Sequence, residues 1–105
     1  MNLGKTYIFK IVSGEEIIGE LFNSYDTHYE IKSAAVVVMQ QTQQGMGIAL
    51  MPFMPYADGN VSLSRNTITA TAEPSQNMVN EYNRIFGSGI QVAPASALAG
   101  LQVVS

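Results

Sequence analysis

The sequence predicts an all-β domain, a small barrel of bent strands followed by one α-helix. Three observations carry that expectation. Apolar and polar residues alternate through most of the first seventy positions, the period of half-buried strands. Gly19 interrupts the second apolar run, where a strand closing a small barrel must bend. After Glu73 the apolar spacing changes to that of a helix.

Taken in order, Tyr7, Phe9 and Ile11 fall on one face of a first strand while Lys10 falls on the other. Ser13-Gly14-Glu15 is the turn, and Ile17, Gly19 and Leu21 share a face of the second strand. Asn23 to Asp26 supplies short polar side chains that bond their own backbone in turns. Tyr29 to Met39, valine-rich and ending VVVM, reads as a third strand buried on both faces at its far end. Gln40 to Gly45 reads as a polar turn. Gly47 to Ala57 is an extended segment that Pro52 and Pro55 must bend or bulge, because each removes a ladder donor. Asp58-Gly59 is a tight-turn dipeptide. Val61 to Leu63 and Thr67 to Ala72 follow as short β segments, with Arg65-Asn66 turning between them.

Pro74 and Ser75 suit a helix start, and Gly87 is placed to stop it. Between them Met78, Val79, Tyr82, Ile85 and Phe86 recur on one face, which predicts an amphipathic helix over 75–87. Its apolar face reads as a lid on the barrel or, less simply, as a partner-binding surface. Residues 88–105 carry no charge and read as a tail or as an arm lying on a neighbouring subunit. The expected organisation is one domain, with the barrel over 5–72.

Composition narrows the function classes. A chain of 105 residues buries roughly two-thirds of its unfolded surface, so association with copies of itself would add to a modest core. Charged residues make up only 12%, about half the usual share, which implies that part of the uncharged surface is covered. The net charge is −3, and the five basic residues, Lys5, Lys10, Lys32, Arg65 and Arg84, are scattered. A grip on duplex DNA needs clustered Lys and Arg, so no duplex DNA is expected as partner. There is no cysteine, hence no disulfide and no thiolate metal site. The start of the chain lacks the pattern of a signal peptide. The uncharged stretch from Ile85 to Ser105 is broken by Pro94 and glycines, unlike a membrane span. A cytoplasmic protein with no membrane partner is expected.

Catalytic chemistry finds few candidates. His28 is the sole histidine; Asp26 stands two residues away, but no nucleophile motif accompanies them. Asp26, His28 and Glu30 alternate as an extended stretch would present ligands, yet with so few nitrogen or sulfur donors no metal site is expected. Glu15 and Glu16 read as a solvated turn tip. Gly45 to Gly47 lacks the lysine and spacing of a phosphate loop. No enzyme activity and no cofactor are expected.

The segment IFKIVSGEEIIGELFNSYDTHYEIKSAAVVV resembles the first signature of the Sm-like superfamily (Sm, LSm and Hfq proteins). Gly14 and Gly19 stand five apart as the family's turn and second-strand glycines do, Leu21 follows in its apolar place, and Tyr25-Asp26-Thr27-His28 looks like the family's aromatic-Asp loop. One extra residue separates Gly19 from Asp26. Leu63-Ser64-Arg65-Asn66-Thr67-Ile68 matches the second signature in part: Asn66 and Ile68 fit, whereas Ser64 stands for arginine and Arg65 for glycine. Glu30 replaces the asparagine that reads a base. The helix follows the barrel rather than preceding it, and an insertion lies around Pro52 to Gly59. With MPFMPYADG and EPSQNMVNEYNRIFGSGI, the chain looks like the compact Sm-like proteins of T4-type marine phages, which would put it in a host cytoplasm.

The resemblance implies a five-stranded Sm-like (SH3-like) barrel, a homo-oligomeric ring and single-stranded RNA as ligand. The implied RNA-binding residues are Asp26, His28, Glu30, Lys32, Ser64, Arg65 and Asn66. His28 would offer a stacking plane, while Lys32 and Arg65 would offer charge near phosphate. Glu30 as a carboxylate only accepts hydrogen bonds, which would alter base preference. The expected subunit contact is Ile48, Leu50, Met51, Phe53, Met54, Tyr56 and Ile68, drawn together because open barrel edges must be paired or covered. The alternative is a structural or protein-interaction ring that binds no nucleic acid, which the acidic balance and the altered Arg-Gly favour.

Overall fold

The computed structural model describes residues 1–86. The chain divides between Pro74 and Ser75 into a sheet unit and a second unit, whose described part is a helix. The sheet unit holds β1 (Thr6–Ile11), β2 (Glu16–Ser24), β3 (His28–Thr42), β4 (Gly45–Pro52), β5 (Val61–Ser64) and β6 (Ile68–Ala72). All pairings are antiparallel; the order is β4-β3-β2-β1-β6, with β5 also on β3. The barrel reading counts five strands, and six are present among the described residues. A three-residue 3-10 turn, Arg65–Thr67, separates β5 from β6.

Local chemistry explains the first hairpin. Gly14 has φ +94, a conformation that costs other L-residues about 1–2 kcal/mol. Its N–H donates to the Ile11 carbonyl at 2.8 Å, and the Ile11 N–H donates to the Glu15 carbonyl at 3.0 Å. The register then sets Tyr7 against Gly19 and Phe9 against Ile17. These inward side chains form the core with Leu21, Ile31, Ala34 and Leu63. Phe9, Ile17, Leu21 and Ile31 are fully buried, each contributing about 1.5–3 kcal/mol of transfer free energy.

Gly19 is needed for close approach. A β-carbon there would lie 2.2 Å from Cγ2 of Ile31. Opposite it β3 carries an irregularity, since the pairing passes from Ile18↔Ala35 to Glu20↔Lys32 with one extra residue on β3. Ser33, within that bulge, has φ 54. Gly19 thus sits opposite a β-bulge, a feature that locally increases strand twist, at the position where the sequence leads one to expect a bend. A second irregularity on β2, between Leu21 and Asn23, leaves Phe22 exposed.

Three expectations are corrected. The polar segment Gln40 to Gly45 is mostly strand, because β3 keeps its ladder with β4 out to Thr42↔Gly45, and only Gln43 and Gln44 turn. The far end of β3 is not buried on both faces. Pairing with β2 stops at Val36, so Val37 to Met39 lie in a two-stranded ribbon; the valines are half-buried and Met39 is 67% exposed. The segment Gly47 to Ala57 is not one bent strand. The ladder ends at Pro52, after which the Phe53 N–H reaches the Ala34 carbonyl and the chain turns at Met54–Ala57.

The helix α1 spans Gln76–Phe86. Ser75 caps it, its Oγ accepting from the Met78 N–H at 3.2 Å. Arg84 in the last turn suits the negative end of the helix dipole and pairs with Glu81. Hydrogen bonds from Arg84 hold the Glu81 carboxyl below its ordinary value. Tyr82 is buried, and its ring lies 5.1 Å from that of Phe86. The expected stop at Gly87 and the tail over 88–105 lie outside the described residues. No described helix is long and apolar enough to cross a membrane.

Candidate nucleic-acid interface

Two loops meet at one corner of the sheet unit. The β2–β3 turn runs through Tyr25 to Thr27, and β5 passes into the 3-10 turn at Ser64-Arg65. Antiparallel pairing sets His28 opposite Ser64, and the Arg65 N–H donates to the Thr27 carbonyl at 3.0 Å. Residues some forty positions apart thus share one corner.

The side chains form an aromatic and cationic cluster. The Tyr25 ring stacks on His28 with centroids 4.6 Å apart and planes 25° from parallel. Tyr25 is 43% exposed, and its hydroxyl accepts from Nδ2 of Asn23. The Tyr25 N–H donates to the His28 carbonyl, closing the turn, while Nδ1 of His28 shares a hydrogen bond of 2.9 Å with Oγ1 of Thr27. The Arg65 guanidinium lies over the Tyr29 ring, 4.4 Å from its centroid, and Nη2 donates to Oγ of Ser24 at 2.9 Å. Tyr29 packs against Phe9 at 5.6 Å, so the position of Arg65 is tied to the core.

The other expected residues are less closely gathered. Asp26 is exposed in the turn, not on the strand, so it does not alternate with His28 and Glu30 as the sequence suggests. The turn ends only at His28, where β3 begins. Glu30 lies outward on β3, opposite Ser62, and accepts from Nδ2 of Asn60 at 2.9 Å. Lys32 is exposed two residues further on, opposite Glu20. Asn66 is exposed within the 3-10 turn, beside Arg65. No group of three or more potential metal ligands occurs among the described residues.

The expected subunit-contact set divides. Ile48, Met51, Met54 and Tyr56 are exposed, Tyr56 fully. Leu50 is buried within the chain, and Phe53 and Ile68 pack against the core. Leu50 therefore has little free surface within one subunit, while Phe53 and Ile68 are partly buried.

Tyr25, Tyr29, Ser24 and Asn60 are absent from the sequence-derived site. For Tyr25 the signal is its place beside Asp26 in the aromatic-Asp loop. The Tyr29–Arg65 contact has no local signal, because it is made across the sheet. In chemical terms the corner offers a partly exposed stacked ring pair, a guanidinium fixed by an aromatic and a hydroxyl, and amides. That set suits stacking and anion contact, and supplies no nucleophile paired with a base. No protein-family model matches this chain, and no curated protein shows significant similarity to it.

Proposed function

We propose that the chain is a ring-forming Sm-like protein whose aromatic corner binds single-stranded RNA. The observation that carries the reading is the stacked Tyr25–His28 pair beside Arg65. Unpaired bases stack on aromatic and guanidinium planes, with a cation close to phosphate, and this corner holds both. Glu30, held by Asn60, would accept from an exocyclic amine rather than read a base as an amide does.

The ring rests on edges. Among the described residues β4 pairs only with β3 and β6 only with β1, so each has one edge without a described partner. Barrel closure is part of the proposal: β5 on β3 and β6 on β1, joined by the short 3-10 turn, suit a small SH3-like barrel. Head-to-tail pairing of β4 with β6 of the next copy would satisfy both open edges in every subunit. Met51, Met54 and Tyr56 flank that edge as adaptable apolar contacts.

The test is fluorescence anisotropy with labelled oligo(U) and oligo(A) at low and moderate salt. Wild type is expected to bind saturably with a shallow salt dependence, because Lys32 and Arg65 are offset by Asp26 and Glu30. Replacing His28 by alanine should weaken binding by about 1–3 kcal/mol per stacked base, and Arg65→Ala should also flatten the salt dependence. Absence of saturable binding at low salt contradicts RNA recognition. The ring would then serve as a protein-interaction scaffold, a reading favoured by the −3 net charge.

A further inference from the structure

We infer that one face of the β3–β4 hairpin is a second contact between copies of this chain, a two-fold contact distinct from the edge pairing of the ring. Beyond Val36, where β2 stops, the hairpin continues alone from Val37↔Leu50 to Thr42↔Gly45. Alternation sorts its side chains. Val37, Met39, Gln41, Met46, Ile48 and Leu50 point to one face, Leu50 being already buried, while Val38, Gln40, Thr42, Gly45, Gly47 and Ala49 point to the other. The large apolar groups therefore share a single face. Met39 is 67% exposed, Met46 59% and Ile48 50%, on a ribbon that by itself is marginally stable in water. Ile48, which the sequence places in the ring contact, belongs with Met39 and Met46.

A second copy is the occupant that the charge pattern favours. No charged side chain occurs between Lys32 and Asp58. Copies carrying −3 each repel one another over most of their surface, and this hairpin is where they can meet without opposing like charges. A two-fold contact needs a patch that complements itself, and exposed, uncharged Met39, Met46 and Ile48 with their adaptable side chains meet that requirement. A different protein partner would ordinarily be steered and selected by charge, which the hairpin lacks. Met39, Met46 and Ile48 are few beside the roughly 20–30 residues a side of a standard interface, so a single pair of hairpins associates weakly. A closed ring would present one hairpin per subunit, and several contacts formed together hold two rings face to face. The strength of the contact thus rests on the ring reading, although its location does not.

Sedimentation velocity of the full chain across micromolar concentrations tests the contact, using wild type and the double variant Met39→Glu/Ile48→Glu. Wild type should show a ring and a species of twice its mass, and the double variant the ring alone, with an unchanged circular dichroism spectrum. A wild type that forms single rings at every concentration, or a variant that still doubles, overturns the two-fold contact and leaves the ring intact. Collapse of the variant to monomer also overturns it, by making this face part of the ring contact. Conversely, a wild-type monomer–dimer equilibrium abolished in the variant supports the two-fold contact and removes the ring. Single rings in which Met39 and Met46 resist hydroxyl-radical labelling would mean that residues 87–105 cover the face, which overturns the second copy as occupant.

Discussion

Gly19 shows how one missing side chain can decide a fold. Its absent β-carbon makes room for Ile31, whose side chain is fully buried and cannot swing aside. Gly19→Ala should therefore destabilise the protein by about 1–3 kcal/mol, the cost of overpacking a filled core, read as a shift in the urea midpoint. A midpoint equal to that of wild type would mean that the strands do not approach as closely as described. The position is legible in the sequence because a glycine inside an apolar strand marks a bulge, a sharp bend or a close approach of backbone. Tyr29 illustrates the opposite case. Its role in fixing Arg65 depends on a contact between residues 36 positions apart in the chain, and neither residue carries a local sign of the other. Motif spacing points to His28 and Arg65; it does not point to the aromatic rings that hold them in place.

At the scale of elements, β1, β2 and the first turn follow from period-two patterning, and the helix from its changed period and its cap. Ser75→Ala should cost about 1 kcal/mol of helix stability, seen as faster amide exchange at Met78 and Val79. Exchange unchanged at both sites would remove Ser75 as the cap. The Glu81–Arg84 pair adds a pH component of known sign. Because the folded-state value of Glu81 is depressed, its contribution is present above the unfolded carboxylate value of about 4.3 and is lost as pH falls through the folded one. Glu81→Gln should abolish that component, which is small because Arg84 is exposed. The β3–β4 hairpin is the least legible element. A run such as VVVM declares that something should cover it, but an apolar sequence does not say whether the cover is the same chain or another. Likewise QQT reads as a turn by composition, yet ladder bonds to β4 hold it extended.

For the whole molecule, low charge, β4 and β6 edges without a partner among the described residues, and exposed methionines are the grounds for the proposed self-association. Each concerns surface for which the described residues of the 11.3 kDa subunit supply no partner. The apolar contact should tolerate salt, whereas RNA binding should weaken with it, so the two properties separate in one titration. The most direct test of the central claim is the native mass of the assembled chain at micromolar concentration. The account predicts a discrete closed homo-oligomer of at least three copies, alone or doubled, with the same ring size at every concentration. A monomer, or an open ladder of sizes growing with concentration, would contradict it.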